Sequence, residues 1–267
     1  MQDAATTLLA TKSAVVGAWL ILIILAEGLA PAPGTGGRDW RRVGRNGALW
    51  AINLVLAPLV IVPLSAWAAQ HGAFERPLWW TGATGFVLDL LLLDFLIYWW
   101  HRFNHRLPLL WRFHAIHHLD RALDATTALR FHFGEVLISA FLRAGVIMLM
   151  ALPLVSVIAF ESLVLIATIF HHSKLRLPPR FEAALARLVV TPSIHWVHHH
   201  RRMRDTDANY ATILSLWDPL FASRAATRRT PAMEIGVEGR DEMRLLQLLP
   251  APFQPGTALA PGRGSVQ

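Results

Sequence analysis

The chain reads as all-α: an integral membrane helical bundle with a cytoplasmic, histidine-rich helical cap that holds a binuclear metal site. Three observations carry this reading. First, the 267 residues are 54% hydrophobic and only 16% charged, where a soluble domain carries about 25% charge, and mean hydropathy is +0.40. Second, several segments stay apolar for the roughly 20 residues that a spanning helix needs. Third, twelve of the 13 histidines lie between His101 and His200, eight of them in three clusters with helical spacing.

Taken in order, residues 13–30 form the first span, with Glu27 near its end. A short apolar run followed by Gly28-Leu29-Ala30-Pro31-Ala32 can also be read as a cleaved leader. The only basic residue before it is Lys12, offset by Asp3, which favours a retained span. Residues 48–69 form the second span despite Pro58 and Pro63, and residues 81–100 the third despite Asp89 and Asp94. Residues 135–170 are too long for one crossing, and Pro153 divides them into a tight hairpin, 135–151 and 154–170. Pro108 ends the helix carrying the first histidines and lets another start near Leu109. Residues 175–179 are a linker and 181–190 a short helix. The chain divides into N-terminal transmembrane helices (1–80), a catalytic domain (81–223) and a polar tail (224–267) whose last dozen residues look disordered.

Charge sets the orientation. Arg38, Arg41, Arg42 and Arg45 follow the first span and put that loop in the cytoplasm. Residues 70–80, with one arginine and one glutamate, fall outside. Arg102, Arg106, Arg112, Arg121 and Arg130 then accompany the return to the cytoplasm, and the hairpin delivers the chain to the same side before His195. All three clusters therefore meet on one face, read as the cytoplasmic face of a bacterial inner membrane. The net charge of +7 is loop charge of this kind and not a nucleic-acid footprint, since the arginines flank apolar spans. There is no cysteine. Disulfides, cysteine-held iron–sulfur clusters and a thiolate-ligated haem are thus excluded, and any electrons come from a separate partner.

The clusters are His101-Arg-Phe-Asn-His105, His114-Ala-Ile-His117-His118 and His195-Trp-Val-His198-His199. Positions i, i+3 and i+4 share one helical face, so each cluster can aim its imidazoles at one point, and imidazole suits iron, zinc, copper and nickel. His132 and His172 flank the hairpin and join the ligand set, because both return to the face of the clusters. His171 points about 100° away from His172 on a regular helix and cannot share its site. His200 leaves the shared face of its run and is assigned to support the ligands from behind. His71, in the opposite loop, is inert. Asp94, Tyr98, His101 and His105 form one helical stripe. A carboxylate within a span is functional by default, so Asp94 is expected to accept an N–H from a metal-bound imidazole, with Tyr98 beside it. The alternative for Asp94 is a structural pair with Arg143. No Glu-x-x-His pair or His-Glu-x-x-His motif is present, which argues against a carboxylate-rich di-iron bundle and a zincin-type protease. A haem would need one or two of these histidines.

The three clusters resemble the histidine boxes of the fatty acid hydroxylase/sterol desaturase superfamily. Tyr98-Trp-Trp-His-Arg102, Leu110-Trp-Arg-Phe-His114, Arg130-Phe-His132, Phe170-His-His-Ser173, Asp207-Ala-Asn-Tyr210 and Trp217-Asp-Pro-Leu-Phe221 extend the likeness over about residues 89–223. Lys174 and His200 depart from common family residues without touching a box. The resemblance implies a membrane enzyme in which histidines hold two iron ions. It also implies O2 as co-substrate and hydroxylation or desaturation of a lipid- or sterol-like C–H bond. Electrons would come from a reductase with a cytochrome or ferredoxin. Zinc can replace iron on overexpression, since imidazole binds both. The competing reading is a membrane metal transporter, whose ligands would lie near the bilayer midplane and not beyond the spans. Substrate and oligomeric state are not legible.

Overall fold

A computed structural model describes residues 2–32 and 34–254, and among them the chain is helical with no β-strand. The disorder expected for the last dozen residues concerns positions outside the described ones. Four segments, Ala5–Leu29, Trp40–Gln70, Gly82–Arg106 and Leu154–His172, are long and apolar enough to cross a membrane. The chain is an integral membrane protein.

Helix α1 (Gln2–Leu29) packs along α7 (Leu154–His172). Trp19 Nε1 donates to the Ile166 carbonyl at 3.0 Å, and Ile23 packs with Ile169. Near its end, the fully buried Glu27 accepts the backbone N–H groups of Ala125 (2.7 Å) and Lys174 (3.0 Å) and pairs with Arg38 (2.8 Å). The helix that could also be read as a leader packs with the bundle here.

The arginine stretch after it is not a loop. Asp39, a favoured N-cap residue, accepts from the backbone N–H groups of Arg41 (2.9 Å) and Arg42 (3.3 Å) and starts α2 (Trp40–Leu56). Arg42 turns inward, pairing with Asp120 (2.7 Å) and Asp124, and donates to the Ala122 carbonyl (3.0 Å). Arg45 pairs with Glu242. Three of the four arginines thus hold the cap to the membrane helices. Pro58 lacks an N–H and its ring crowds the carbonyl four residues back. The ladder widens there into a π-turn, Ala57–Ile61, and runs on into α3 (Val62–Gln70).

At the far end, Asp89 on α4 (Gly82–Arg106) knots three segments: it accepts from Arg76, from Trp80 Nε1 (2.9 Å) and from Ser156 Oγ (2.7 Å). Pro108 opens α5 (Pro108–His118) as expected. The hairpin is formed by α6 (Phe133–Leu149) and α7, with Pro153 capping α7 and Ala151 in the left-handed region at φ 48°. His71 lies at this far end, its Nδ1 2.8 Å from the Trp67 carbonyl.

Two expectations for α4 are corrected. Asp94 touches no histidine: it accepts from Trp217 Nε1 (2.8 Å) and the Leu214 N–H (3.2 Å). The Tyr98 hydroxyl meets Ser223 Oγ (2.9 Å) and Arg102 (3.0 Å). The stripe is real, but Asp94 and Tyr98 meet the segment 214–223, which they latch down. Arg143 pairs with Glu161 at 3.2 Å, not with Asp94.

The cap is built from short helices: α8 (Pro179–Leu185), α9 (Pro192–His198), α10 (Met203–Thr206), α11 (Trp217–Leu220) and α12 (Leu245–Leu248). The tail folds back rather than trailing as a polar appendage. Leu248 and Ala251 pack with Leu49, Trp111, Ile116 and Leu119. The end of α1, the start of α2, the end of α4, the start of α6 and the end of α7 all meet under this cap.

Replacing Arg42 by methionine leaves Asp120 and Asp124 buried without their cation, which should cost about 3–5 kcal/mol. The thermal midpoint of Arg42→Met in detergent should fall well below that of Arg41→Met, whose parent side chain is exposed. Equal midpoints would refute the role given to Arg42.

Candidate metal centre

The last two turns of α4 carry His101 and His105, α5 carries His114, His117 and His118, and α7 ends on His172. Helix α9 supplies His195 and His198 and is capped by His199. Pro108 and Pro192 sit in the first turns of α5 and α9, where a missing N–H costs nothing. Each proline therefore re-aims the chain so that the next cluster faces the previous one.

These nine histidines form two adjoining groups. His101, His105, His114, His118 and His198 make one, and His117, His172, His195 and His199 the other, with ligand atoms in each group within 4.8 Å of one another. The neighbouring residues His117 and His118 go to different groups, as do His198 and His199. The rings of His118 and His199 stack across the boundary with centroids 4.3 Å apart.

Most rings are oriented from behind. Nδ1 lies 2.8 Å from the Tyr210 carbonyl in His101, 3.2 Å from the Arg130 carbonyl in His117, 2.7 Å from the Thr168 carbonyl in His172 and 2.7 Å from the Ala208 carbonyl in His198. A carbonyl only accepts, so Nδ1 carries the proton in each and Nε2 is a bare lone pair. In His114 the outer partner is Glu135 Oε1, at 2.8 Å, which also accepts from Asn104 Nδ2 at 3.3 Å. His105 Nδ1 stands 3.6 Å from Asp207 Oδ1, beyond hydrogen-bond reach.

The inner atoms test whether a cation fits. His117 Nε2 and His172 Nε2 are 3.0 Å apart, both bare, so neither can donate to the other. His172 to His195 is 3.0 Å and His195 to His199 is 3.2 Å, Nε2 to Nε2. Ligands about 2.0–2.1 Å from a shared ion stand roughly this far apart. In the first group Nε2 of His105, His114, His118 and His198 is buried with no hydrogen-bond partner. Lone pairs gathered this way and shielded from water fit two metal ions held by imidazole.

Burial, first, and the surrounding imidazoles, second, hold His117, His118, His195 and His199 well below the ordinary histidine range. In His198 the neighbour is chiefly His101. These rings are neutral at physiological pH and need lose no proton to bind a metal.

Three assignments from sequence change here. His132 does not reach either group: it caps α6, accepting the Gly134 N–H at Nδ1 (3.0 Å), while Nε2 lies 2.9 Å from the Leu249 carbonyl. His200 supports no ligand either, because its Nδ1 meets Asp205 Oδ2 at 2.7 Å. The carboxylate that does touch a ligand ring is Glu135, which sequence reasoning passed over. It was readable in Arg130-Phe-His-Phe-Gly-Glu135: a glutamate in the first turn of a largely apolar helix needs a partner. His171 packs its ring on His195, centroids 3.9 Å apart, beside the second group.

Two outcomes follow. His172→Ala should lower metal content by elemental analysis toward one ion per chain, whereas His132→Ala should keep the full complement. The reverse order would overturn the assignment. In metal-stripped protein, the five depressed histidines favour the fold above the unfolded-chain value of about 6.5. Below it the unfolded chain takes up protons that the fold refuses, so stability should fall as pH drops. A thermal midpoint unchanged from roughly pH 8 to pH 5 would contradict this.

Residues 86–223, just over half of the chain, match the fatty acid hydroxylase family. The chain is similar to the ornithine lipid hydroxylase OlsE of Rhizobium tropici, 26% identical over 196 residues, which cover 73% of this chain and 58% of that protein. It is similar to an alkylglycerol monooxygenase of Danio rerio, 33% identical over 147 residues, covering 55% of this chain and 32% of that one. A very-long-chain aldehyde decarbonylase of Oryza sativa subsp. indica is 27% identical over 216 residues, covering 76% of this chain and 32% of the relative. The chain thus spans about a third to somewhat over half of the length of these relatives. No solved structure matches. Family match and histidine geometry coincide on the same segment, and the chain belongs to the fatty acid hydroxylase family.

Proposed function

We propose that this protein is a membrane-bound, O2-dependent lipid hydroxylase that inserts oxygen into a C–H bond of a lipid chain. The observation that carries the reading is a cavity of about 330 Å³ within the membrane bundle. Ile97, Trp100, Phe160, Val164 and Leu165 line its length, and His101, His114, His117, His172 and His195 its end. It reaches histidines of both groups. An apolar tail lying there is surrounded mainly by hydrocarbon side chains, and its deep end meets the imidazoles together with Asn104 and Glu135.

Two iron ions held by the nine histidines would supply the reductive activation of O2 that an unactivated C–H bond requires. The residues around them have separable tasks. The carbonyls of Tyr210, Arg130, Thr168 and Ala208 fix the ring orientations. Glu135 adds a negative charge behind His114, which makes that ring a stronger donor. Trp100, next to His101 in the chain, helps exclude water from the reacting end. With no cysteine in the chain, electrons arrive from an external reductase with a cytochrome or ferredoxin. Exposed Arg106, Arg121, Arg202 and Arg204 at the histidine end support a cytoplasmic site in a bacterial inner membrane. The histidine-bearing catalytic unit is residues 81–223, held between the N-terminal helices and the folded-back tail.

The test is iron-loaded protein, a chemical or enzymatic reductant and total lipid extract under oxygen-18 gas. Label should appear in a lipid product, with about two irons per chain. Lipid unlabelled in the presence of reduced, iron-replete protein would refute the hydroxylase reading. Glu135→Gln keeps an acceptor for His114 but removes the charge, and turnover should fall about 10–100-fold. Turnover equal to wild type would remove Glu135 from the mechanism.

A further inference from the structure

The cavity has a second polar zone that the oxygenase chemistry does not use. Lys12 on α1, Arg143 on α6 and Glu161 on α7 all line it. Lys12 Nζ stands 2.6 Å from Glu161 Oε2, and Arg143 Nη2 3.2 Å from Glu161 Oε1. Glu161 is the eighth residue of a 19-residue span, so the cluster sits near the middle of the apolar layer. Charges at this depth are costly and tend to be functional.

The charges do not balance. Two cations share one carboxylate, leaving a net positive charge, and Arg143 Nε is shielded from solvent with no hydrogen-bond partner. Arg143 also borders a smaller cavity of about 70 Å³ that shares Ile97, Trp100, Ser139 and Phe160 with the first, so its guanidinium stands where the two spaces adjoin. A half-buried, under-compensated cation facing apolar space at this depth calls for an anion. Glu135, the other carboxylate lining the cavity, is at the opposite end and engaged with His114 and Asn104.

The spacing tells what kind of anion. Eleven residues separate Glu161 from His172, and eight separate Glu135 from Arg143, roughly 12–16 Å of helix at 1.5 Å per residue. The wall between is mainly hydrocarbon, Val136 on α6 and Val164 and Leu165 on α7, with no charged side chain and only the hydroxyls of Ser139 and Thr168. We propose that Lys12 and Arg143, held by Glu161, form the headgroup site for an anionic single-chain amphiphile whose tail runs down the cavity to the histidines. This rests on the lipid-oxygenase reading and deepens it. The substrate carries a carboxylate or phosphate, and the bond presented to the metal centre lies well along the tail, not beside the headgroup.

The test is direct binding to the full-length, metal-loaded protein in nanodiscs of neutral lipid, read without turnover. Palmitate, hexadecyl phosphate and hexadecan-1-ol share a tail and differ at the head. The two anions should bind at least about tenfold more tightly than the alcohol, the worth of one charge-assisted hydrogen bond. The tighter of the two separates a carboxylate site from a phosphate site. Lys12→Met and Arg143→Gln should each shrink this preference while leaving the alcohol's affinity near wild type. Arg143→Lys should retain most of it. Glu161→Gln, which removes the competing anion, should widen it. If the alcohol binds wild-type protein as tightly as the anions, or if the preference survives in both Lys12→Met and Arg143→Gln, the cluster is a helix clamp and the proposal fails. Since no turnover is measured, that failure is separate from a failure of the hydroxylase reading, which oxygen-18 incorporation decides.

Discussion

Bare imidazole lone pairs cannot be crowded together away from water unless a cation lies among them. His117 and His172 meet Nε2 to Nε2 at 3.0 Å, with both protons committed to carbonyls on the outside. That contact is repulsive in isolation, and His195 and His199 extend the row at 3.0 and 3.2 Å, Nε2 to Nε2. The rest of the molecule can be understood as a device for imposing it. Helix ends, prolines and backbone carbonyls each remove one freedom by which a ring could turn away.

The imposition needs a rigid floor under the rings, and buried ion pairs supply it. Arg130 is fully buried: its Nε donates to the Ile116 carbonyl at 2.7 Å and its Nη1 to Asn46 Oδ1 at 3.1 Å. Its own carbonyl holds His117. One residue therefore ties α2, α5 and a ligand ring together. Arg42 with Asp120 and Asp124, and Glu27 with two backbone N–H groups, do the same for the loops on either side. Such groups are expensive to bury, and those beneath the histidines match the need for fixed ring orientations there.

Much of this was legible in the sequence, and what was not has a common cause. The spans, the Pro153 hairpin, the helix break at Pro108 and the nine histidines that the fold gathers follow from local patterns: apolar length, proline chemistry and the i, i+3, i+4 rule. The failures concern partners that local pattern cannot supply. Asp94 shares a helical stripe with His101, but which neighbour it meets depends on where residues 210–217 return. His132 was placed on the right membrane face, yet a face is wide, and the Leu249 carbonyl brought by the tail claims its ring. Arg42 was counted as loop charge because burial of an arginine depends on Asp120 and Asp124, some eighty residues on. The choice of Glu135 over Asp94 needed the same long-range knowledge, although its position in the first turn of a largely apolar helix was a signal.

The π-turn at Ala57–Ile61 has a consequence for how this chain can change over time. Ala57, Ile61 and Val62 face the cavity, and the helix that follows puts Ser65 and Ala68 in buried positions. Ala68 packs with Ala144 and Ile147 of α6. Dropping one residue to restore a regular helix would swing everything after it by about 100°. The small side chains would leave α6 and larger ones would arrive in their place. Substitutions in this stretch can reshape the tunnel wall gradually, but its residue count is locked: descendants can vary the letters here far more freely than the length.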